Sequence, residues 1–245
     1  MSQPTACVLI IGNEILSGKT QDANIQFLGF ELAKLGIRLE EARVVRDVPE
    51  AIVRHLNECR AKFNYVFTTG GIGPTHDDIT AECVALAFGV ELVLDPEAVE
   101  LLKRGGRALN EARLKMARVP RGADLVTNPV SNAPGFRIGN VFVFAGIPSI
   151  ARAMFASTVP MLVKGNPILS ASVDVFLREG DFADALTAIQ NSHAAVEIGS
   201  YPFNRDGRFG ATLVVRGTEP ALIARVVEKI VAAMTALGGE TKVVG

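Results

Sequence analysis

Stretches rich in β-branched apolar residues alternate with amphipathic helical patterns from the start of this chain to residue 88, and that alternation leaves few folds open. Thr5–Ile11, 37–45 and 65–69 read as buried strands. Between them, Ile25, Leu28, Leu32 and Leu35 recur at helical spacing over residues 22–35, with Gly36 where a C-terminal cap belongs. Ile52, Val53, Leu56 and Cys59 supply the inner face of a second helix, and residues 79–88, closed by Gly89, form a third. The order predicts a parallel sheet covered by helices on both faces. Right-handed crossovers then bring the loops after the first and third strands, at Gly12 and Gly70, to the same edge of the sheet.

The third strand runs into Gly70, Gly71 and Gly73, then Pro74, Thr75, His76, Asp77 and Asp78, before the next helix. Glycines let backbone approach a ligand closely, and helix-start amides bind anions. The amides of Gly70, Gly71 and Gly73 are expected to hold a phosphate. Two carboxylates beside such a cradle would repel a bare phosphate, so Asp77 and Asp78 imply a metal ion or a protonated partner. The loop is expected at a surface edge, where a side chain added at Gly71 would block the ligand before it disturbed folding. Thr75, with Asp78 three residues later, reads as a helix cap, and so does Asp47 ahead of Pro49 and Glu50. Asn13 and Glu14 follow the first strand at the presumed ligand edge. Gly146-Ile147-Pro148-Ser149 makes a second strand-to-helix junction, with Ser149 as its cap. His76 is open between a role as base or ligand and none, since one histidine beside two acids is no metal site by spacing alone; His55 reads as a surface or boundary residue and His193 as structural. No G-x-x-x-x-G-K-[ST], G-x-G-x-x-G or G-x-S-x-G run is placed to compete with this reading.

Residues 96–116 look helical, broken by Gly105-Gly106; residues 128–136 form a proline-rich loop; residues 140–145 are another strand, followed by a helix to about residue 162. A boundary near residues 164–167 divides a domain over 1–166 from a small β-α-β-β-α domain over 167–245. Apolar residues make up 49% of the 245, enough for a full core, and the net charge of −1 supplies no basic face for nucleic acid. Cys7, Cys59 and Cys83 are isolated within apolar patterns and read as buried thiols of a reducing compartment. No signal peptide or apolar run of about 18 residues is present, so the expectation is a cytoplasmic protein with no membrane partner.

Thr68-Thr69-Gly70-Gly71-Ile72-Gly73-Pro74-Thr75-His76-Asp77-Asp78-Ile79-Thr80 resembles the signature of the MoaB/Mog-like molybdopterin-binding fold, in the version typical of CinA amino-terminal domains. Gly12-Asn13-Glu14-Ile15-Leu16-Ser17-Gly18 with Asp22 and Asn24, the loop with Asn128, Pro129, Ala133, Pro134, Gly135 and Phe136, and Gly146-Ile147-Pro148-Ser149 are similar to further motifs of that family, in the same order. Residues 170–217, with Glu197-Ile198-Gly199-Ser200-Tyr201-Pro202, look like the small domain that follows in CinA. Ile150-Ala151-Arg152 stands where many relatives carry an acid followed by methionine, and the nicotinamide-mononucleotide deamidase domain of full-length relatives has no counterpart here.

The resemblance implies a three-layer α/β/α MoaB/Mog-like domain with a small α+β appendage. Its ligand site would take in Asn13, Glu14, Thr69, Gly70, Gly71, Gly73, Pro74, Thr75, Asn128, Pro134, Gly135, Gly146, Pro148 and Ser149. It implies catalytic roles for Asp47 and Asp78, with Asp47, Asp77 and Asp78 holding Mg²⁺ or a similar divalent ion. The activity implied is hydrolysis of a nucleotide diphosphate such as ADP-ribose; alternatives are a molybdopterin-binding module without turnover and an oligomeric scaffold. Expected partners are a small-molecule nucleotide or pterin and a second copy of the chain, a dimer first among homo-oligomers.

Overall fold

The computed structural model describes residues 3–106 and 108–244. Position 107, inside the helical stretch expected over 96–116, lies outside the described residues, as do the start of the first expected domain (1–2) and the end of the second (245). The chain divides into two compact units, Met1–Gly165 and Asn166–Gly245.

The first unit runs β1 (Thr5–Ile11), α1 (Asn13–Leu16), α2 (Asn24–Lys34), β2 (Arg38–Val45), α3 (Pro49–Lys62), β3 (Tyr65–Thr69), α4 (Thr80–Phe88), β4 (Leu92–Leu94), α5 (Pro96–Arg104), α6 (Glu111–Lys115), β5 (Arg118–Pro120), β6 (Asp124–Val126), β7 (Gly135–Ile138), β8 (Val141–Phe144) and α7 (Pro148–Thr158). Its main sheet has the order β2-β1-β3-β8-β7-β6. The first four strands of that order are parallel, and β7 runs antiparallel to both its neighbours β8 and β6, so the sheet is mixed and not wholly parallel. The period-2 alternation of β1 decides which helices lie on which face. Cys7, Leu9 and Ile11 pack with Ile52, Leu56 and Cys59 of α3 and with Cys83 and Val84 of α4. Ala6, Val8 and Ile10 face Leu28 and Leu32 of α2 and Ala151, Met154 and Phe155 of α7. Phe67 anchors this second layer, its ring 5.2 Å from that of Phe142 and 5.8 Å from those of Phe144 and Phe155.

The helix ends follow local chemistry in part. Gly36 and Gly89 take the left-handed conformation that closes α2 and α4. Asp95 caps α5, accepting from the Ala98 amide at 2.8 Å. The expected caps at Asp47, Thr75 and Ser149 are not caps. α3 begins after Val48, α4 after Ile79 and α7 after Ile147, and none of these ends carries a side-chain cap bond.

The second unit runs β9 (Leu169–Phe176), α8 (Glu179–Asn191), β10 (Glu197–Arg205), β11 (Arg208–Gly217), α9 (Pro220–Ala236) and β12 (Glu240–Val244), with sheet order β10-β11-β9-β12. It adds a final strand to the expected β-α-β-β-α series. Val173, Val175, Leu213 and Val215 pack beneath α8 and α9 against Phe182, Val226, Ile230 and Met234. Asp174, 4% exposed, pairs with Arg205 and accepts from the Thr212 hydroxyl at 2.6 Å. The Arg205 guanidinium, and then Thr212, hold its carboxyl below the usual range against the opposing push of burial. Among the described residues no helix is long and apolar enough to cross a membrane.

In the strand order β2-β1-β3, the chain leaves β1 toward β2 and returns past β1 to β3, so a crevice opens at the C-terminal ends of β1 and β3. The two ends touch. Gly70 has φ +103, and a Cβ placed on it would lie 2.2 Å from the carbonyl oxygen of Ile11. Gly70→Ala therefore meets backbone that cannot move aside and adds left-handed strain of about 1–3 kcal/mol. We expect this variant to melt several degrees below wild type by calorimetry, about 2–4 °C for each kcal/mol lost in a unit of this size. An unchanged melting temperature would mean that the two strand ends stand farther apart.

Candidate functional site

The loop after β3 is fixed from below. The Gly70 amide donates to the Phe144 carbonyl at 3.1 Å, and the Gly70 carbonyl accepts from the buried Thr80 hydroxyl at 2.9 Å. Gly70 therefore offers no amide to a ligand, which corrects its expected place in the cradle. The amides of Gly71, Ile72 and Gly73 make no hydrogen bond among the described residues, leaving three consecutive donors at the crevice. Gly71 has φ +67, and a Cβ there would lie 2.2 Å from Thr80 Oγ1. A side chain at Gly71 would thus break the Thr80–Gly70 bond and damage the fold; the expectation that it would block the ligand alone fails on this contact.

Beyond the glycines, Thr75 organises both acids. Its amide donates to Asp78 Oδ2 at 2.8 Å, and its hydroxyl oxygen lies 2.5 Å from both Asp78 Oδ2 and Asp77 Oδ1. One hydroxyl proton serves two carboxylate oxygens, which can be no more than 5 Å apart by that geometry. The Thr75 hydroxyl, then a backbone amide and the more distant charges of His76 and Lys115, hold Asp77 below the usual carboxylate range. Lys115 Nζ donates to the Thr75 carbonyl at 2.8 Å and ties α6 to this turn.

Asp47 acts elsewhere. Its Oδ2 accepts from the Asn13 amide at 2.7 Å, joining the end of β2 to the turn after β1. Glu14 follows, its carboxylate folded over Gly12 so closely that a Cβ on Gly12 would lie 2.6 Å from it. The structure brings Asp77 and Asp78 together and leaves Asp47 outside that pair. Among the described residues no three His, Cys, Asp or Glu side chains converge as a metal cage. The pair does fit a hard cation of the magnesium kind, which keeps most of its waters and takes one or two carboxylates together with substrate phosphate.

These elements border a cleft of about 800 Å³ within the first unit, a size suited to a nucleotide or pterin. Glu14, Gly70, Gly71, Gly73, Pro74, Asp78, Asn128, Gly146 and Pro148 line it, so these expected ligand residues share one space. Others do not. Thr69 is buried, with its hydroxyl unpartnered among the described residues. Gly135 is walled in by the Val143 carbonyl, 2.2 Å from where its Cβ would be, and Pro134 borders a small adjoining cavity that shares Gly71, Ile72, Gly73 and Asp78 with the cleft. Asn13, Asp47, Thr75, Asp77 and Ser149 are not among the lining residues. Asn128 uses its side chain within its own loop, accepting from the amides of Val130 and Ser131 and donating to Ser131 Oγ and the Ala133 carbonyl. Thr20, Arg113, Asn132, Ile147 and Ile150 also line the cleft, although none of them is among the expected ligand residues. Ile147 and Val130, 59% and 57% exposed, give it apolar surface suited to a flat ring. Asn24 Nδ2 donates to the Gly146 carbonyl at 2.9 Å and fixes the second turn across the crevice.

The Asp47–Asn13 bond yields a test. Asp47→Asn keeps an oxygen that can accept from the Asn13 amide, so its stability in urea is expected to stay within about 0.5 kcal/mol of wild type. Asp47→Ala removes the acceptor and is expected to cost about 1 kcal/mol. Equal stability of Asp47→Ala and wild type would show that the bond carries no weight.

Residues 7–164 match the family model described as "Probable molybdopterin binding domain", and residues 167–238 match the one described as "FAD synthase, middle domain". A protein of Pyrobaculum calidifontis is 35% identical over 212 residues, which cover 81% of this chain and 81% of that protein. A CinA-like protein of Trichormus variabilis is 36% identical over 202 residues, covering 76% of this chain and 49% of the relative. A CinA-like protein of Gloeobacter violaceus is 38% identical over 169 residues, covering 65% of this chain and 40% of the relative. The chain thus spans less than half the length of these two CinA-like proteins. Among solved structures, the protein CinA of Thermoplasma acidophilum is similar with a TM-score of 0.62 at 32% identity, over 65% of this chain and 98% of that one.

Proposed function

The chain belongs to the molybdopterin-binding domain family, in its CinA-like branch, and from that premise we propose that it is a metal-dependent pyrophosphatase of a dinucleotide such as ADP-ribose. The observation that carries this reading is the pair Asp77 and Asp78 sharing one Thr75 proton beside three unengaged loop amides. Gly71, Ile72 and Gly73, whose amides would serve phosphate oxygens, line the cleft together with Asp78, and Asp77 stands beside Asp78. A match of residues 167–238 to a domain of FAD synthase supports a diphosphate-linked ligand in the same sense, FAD being a dinucleotide.

In this mechanism the amides of Gly71, Ile72 and Gly73 donate to the oxygens of one phosphate. Asp78, with Asp77 beside it, would hold a divalent ion, which supplies charge neutralisation at the diphosphate and an activated water. Ile147 and Ile150 offer the apolar surface on which a base can lie. Asp47 orients the Asn13–Glu14 turn through the Asn13 amide, and Glu14 presents a further carboxylate to the cleft. Water attack at one phosphorus breaks the bridging P–O bond and releases AMP and a sugar phosphate. A second reading, a molybdopterin-binding module without turnover, is favoured by the family description and by the lack of a three-ligand metal cage among the described residues.

The test is incubation of purified protein with ADP-ribose and with FAD across a panel of divalent cations, AMP release being followed by chromatography. We expect metal-dependent AMP release, and a fall of at least about 100-fold in Asp78→Asn at unchanged melting temperature. No AMP with any cation, together with co-purifying pterin fluorescence, would favour the binding module instead.

A further inference from the structure

Arg113 reaches the cleft from α6, a helix of five residues whose sequence carries no recognisable motif. Its Nη2 makes one long bond, 3.4 Å to the Leu102 carbonyl, and its Nε is buried with no partner. Among the described residues no carboxylate pairs with it. A guanidinium presents five N–H donors in a fixed fork, and a buried donor left unmatched is costly. Lys115, the nearest cation along the helix, is engaged at Thr75. Arg113 is thus the cation among the residues lining the cleft, facing a space whose acids are Glu14 and Asp78.

Asn132 borders the same wall. It is a non-glycine residue held at φ +60, a conformation that persists only where its surroundings enforce it. The bond from the Asn132 amide to the Asn128 carbonyl at 2.9 Å enforces it here. The Asn132 side-chain amide makes no hydrogen bond among the described residues. The 128–133 loop and the end of α5 are neighbours, since a Cβ on Gly105 would lie 3.5 Å from the Ser131 carbonyl oxygen and 3.6 Å from Asn132 Nδ2. Leu102, which accepts from Arg113, is on that same α5. Arg113, with its buried and unpartnered Nε, and Asn132, whose side-chain amide has no protein partner among the described residues, therefore border the cleft that Gly71–Gly73 also line.

We infer that Arg113 and Asn132 form a second anion subsite, which takes the second phosphate of a diphosphate-linked nucleotide while the glycine loop holds the first. The inference rests on the pyrophosphatase reading and narrows it: the preferred ligand carries two linked phosphates, and a monophosphate fills one subsite only. Forked donation to phosphate oxygens is the geometry for which arginine is suited and lysine is not.

The experiment uses ADP-ribose as substrate and AMP as a competing ligand with one phosphate, with Arg113→Gln, Arg113→Lys and Asn132→Gly compared with wild type. Asn132→Gly deletes the amide and still tolerates the left-handed backbone. Arg113→Gln is expected to raise KM for ADP-ribose about 10- to 100-fold, the range for losing a hydrogen bond to a charged group. Its inhibition constant for AMP should stay within about twofold and its melting temperature unchanged, with Arg113→Lys restoring only part of the loss. Asn132→Gly should raise the same KM by a smaller factor. Wild-type KM in Arg113→Gln, or equal weakening of AMP and ADP-ribose, overturns the subsite and leaves the activity standing. A wild-type protein that neither hydrolyses nor binds ADP-ribose overturns the activity and the subsite together.

Discussion

The site depends on the close approach of two strand ends. β1 and β3 lie side by side and parallel, and their last residues meet where Gly70 faces the Ile11 carbonyl with no room for a Cβ. This approach places the turn after β1 and the loop after β3 on one edge. The Phe144 carbonyl and the Thr80 hydroxyl then hold Gly70 from both ends of its peptide. The following amides have no partner of their own among the described residues, and their residues line a space bordered by the second turn at Gly146. Packing makes the cradle here: two layers of helices, each bound to alternate residues of β1, hold the sheet that brings these loops together.

Electrostatics set what such a cradle can accept. Loop amides favour an anion, whereas Asp77, Asp78 and Glu14 oppose one unless a cation or a proton intervenes. The two aspartates share the Thr75 hydroxyl proton, and the Thr75 amide serves Asp78 as well. Arg113 supplies positive charge from another wall. A ligand that brings two phosphates and a divalent ion satisfies all of these groups at once, which neither an anion nor a cation does alone.

The long elements were legible in the sequence because burial marks them: the continuous apolar run of Thr5–Ile11, the leucines of α2 and the glycines at 36 and 89 all correspond to what forms. The short strands β4 to β7, of three or four residues each, carry too little periodicity to be read, and so the antiparallel part of the sheet was missed. Local motifs misled where a distant partner prevailed. Asp47 with Glu50 matches a capping pattern, yet its partner is the Asn13 amide, 34 residues away. Thr75 and Asp78 match one as well, and they close a turn ahead of α4. Asn128 lines the cleft as expected, and its side chain shapes its own loop. Arg113 and Asn132 left no signal, since a lone cation in a short helix and a lone amide in a polar loop resemble many surface residues.

The central claim is that the loop amides of Gly71, Ile72 and Gly73 receive a phosphate of a diphosphate ligand. A crystal structure of the protein with ADP-ribose and magnesium tests it most directly. The account predicts phosphate oxygens within hydrogen-bond distance of those three amides, none on the Gly70 amide, and Asp78 on the metal side of the diphosphate. A diphosphate seated at the start of α7, with the Gly71–Gly73 amides left facing water, would contradict it.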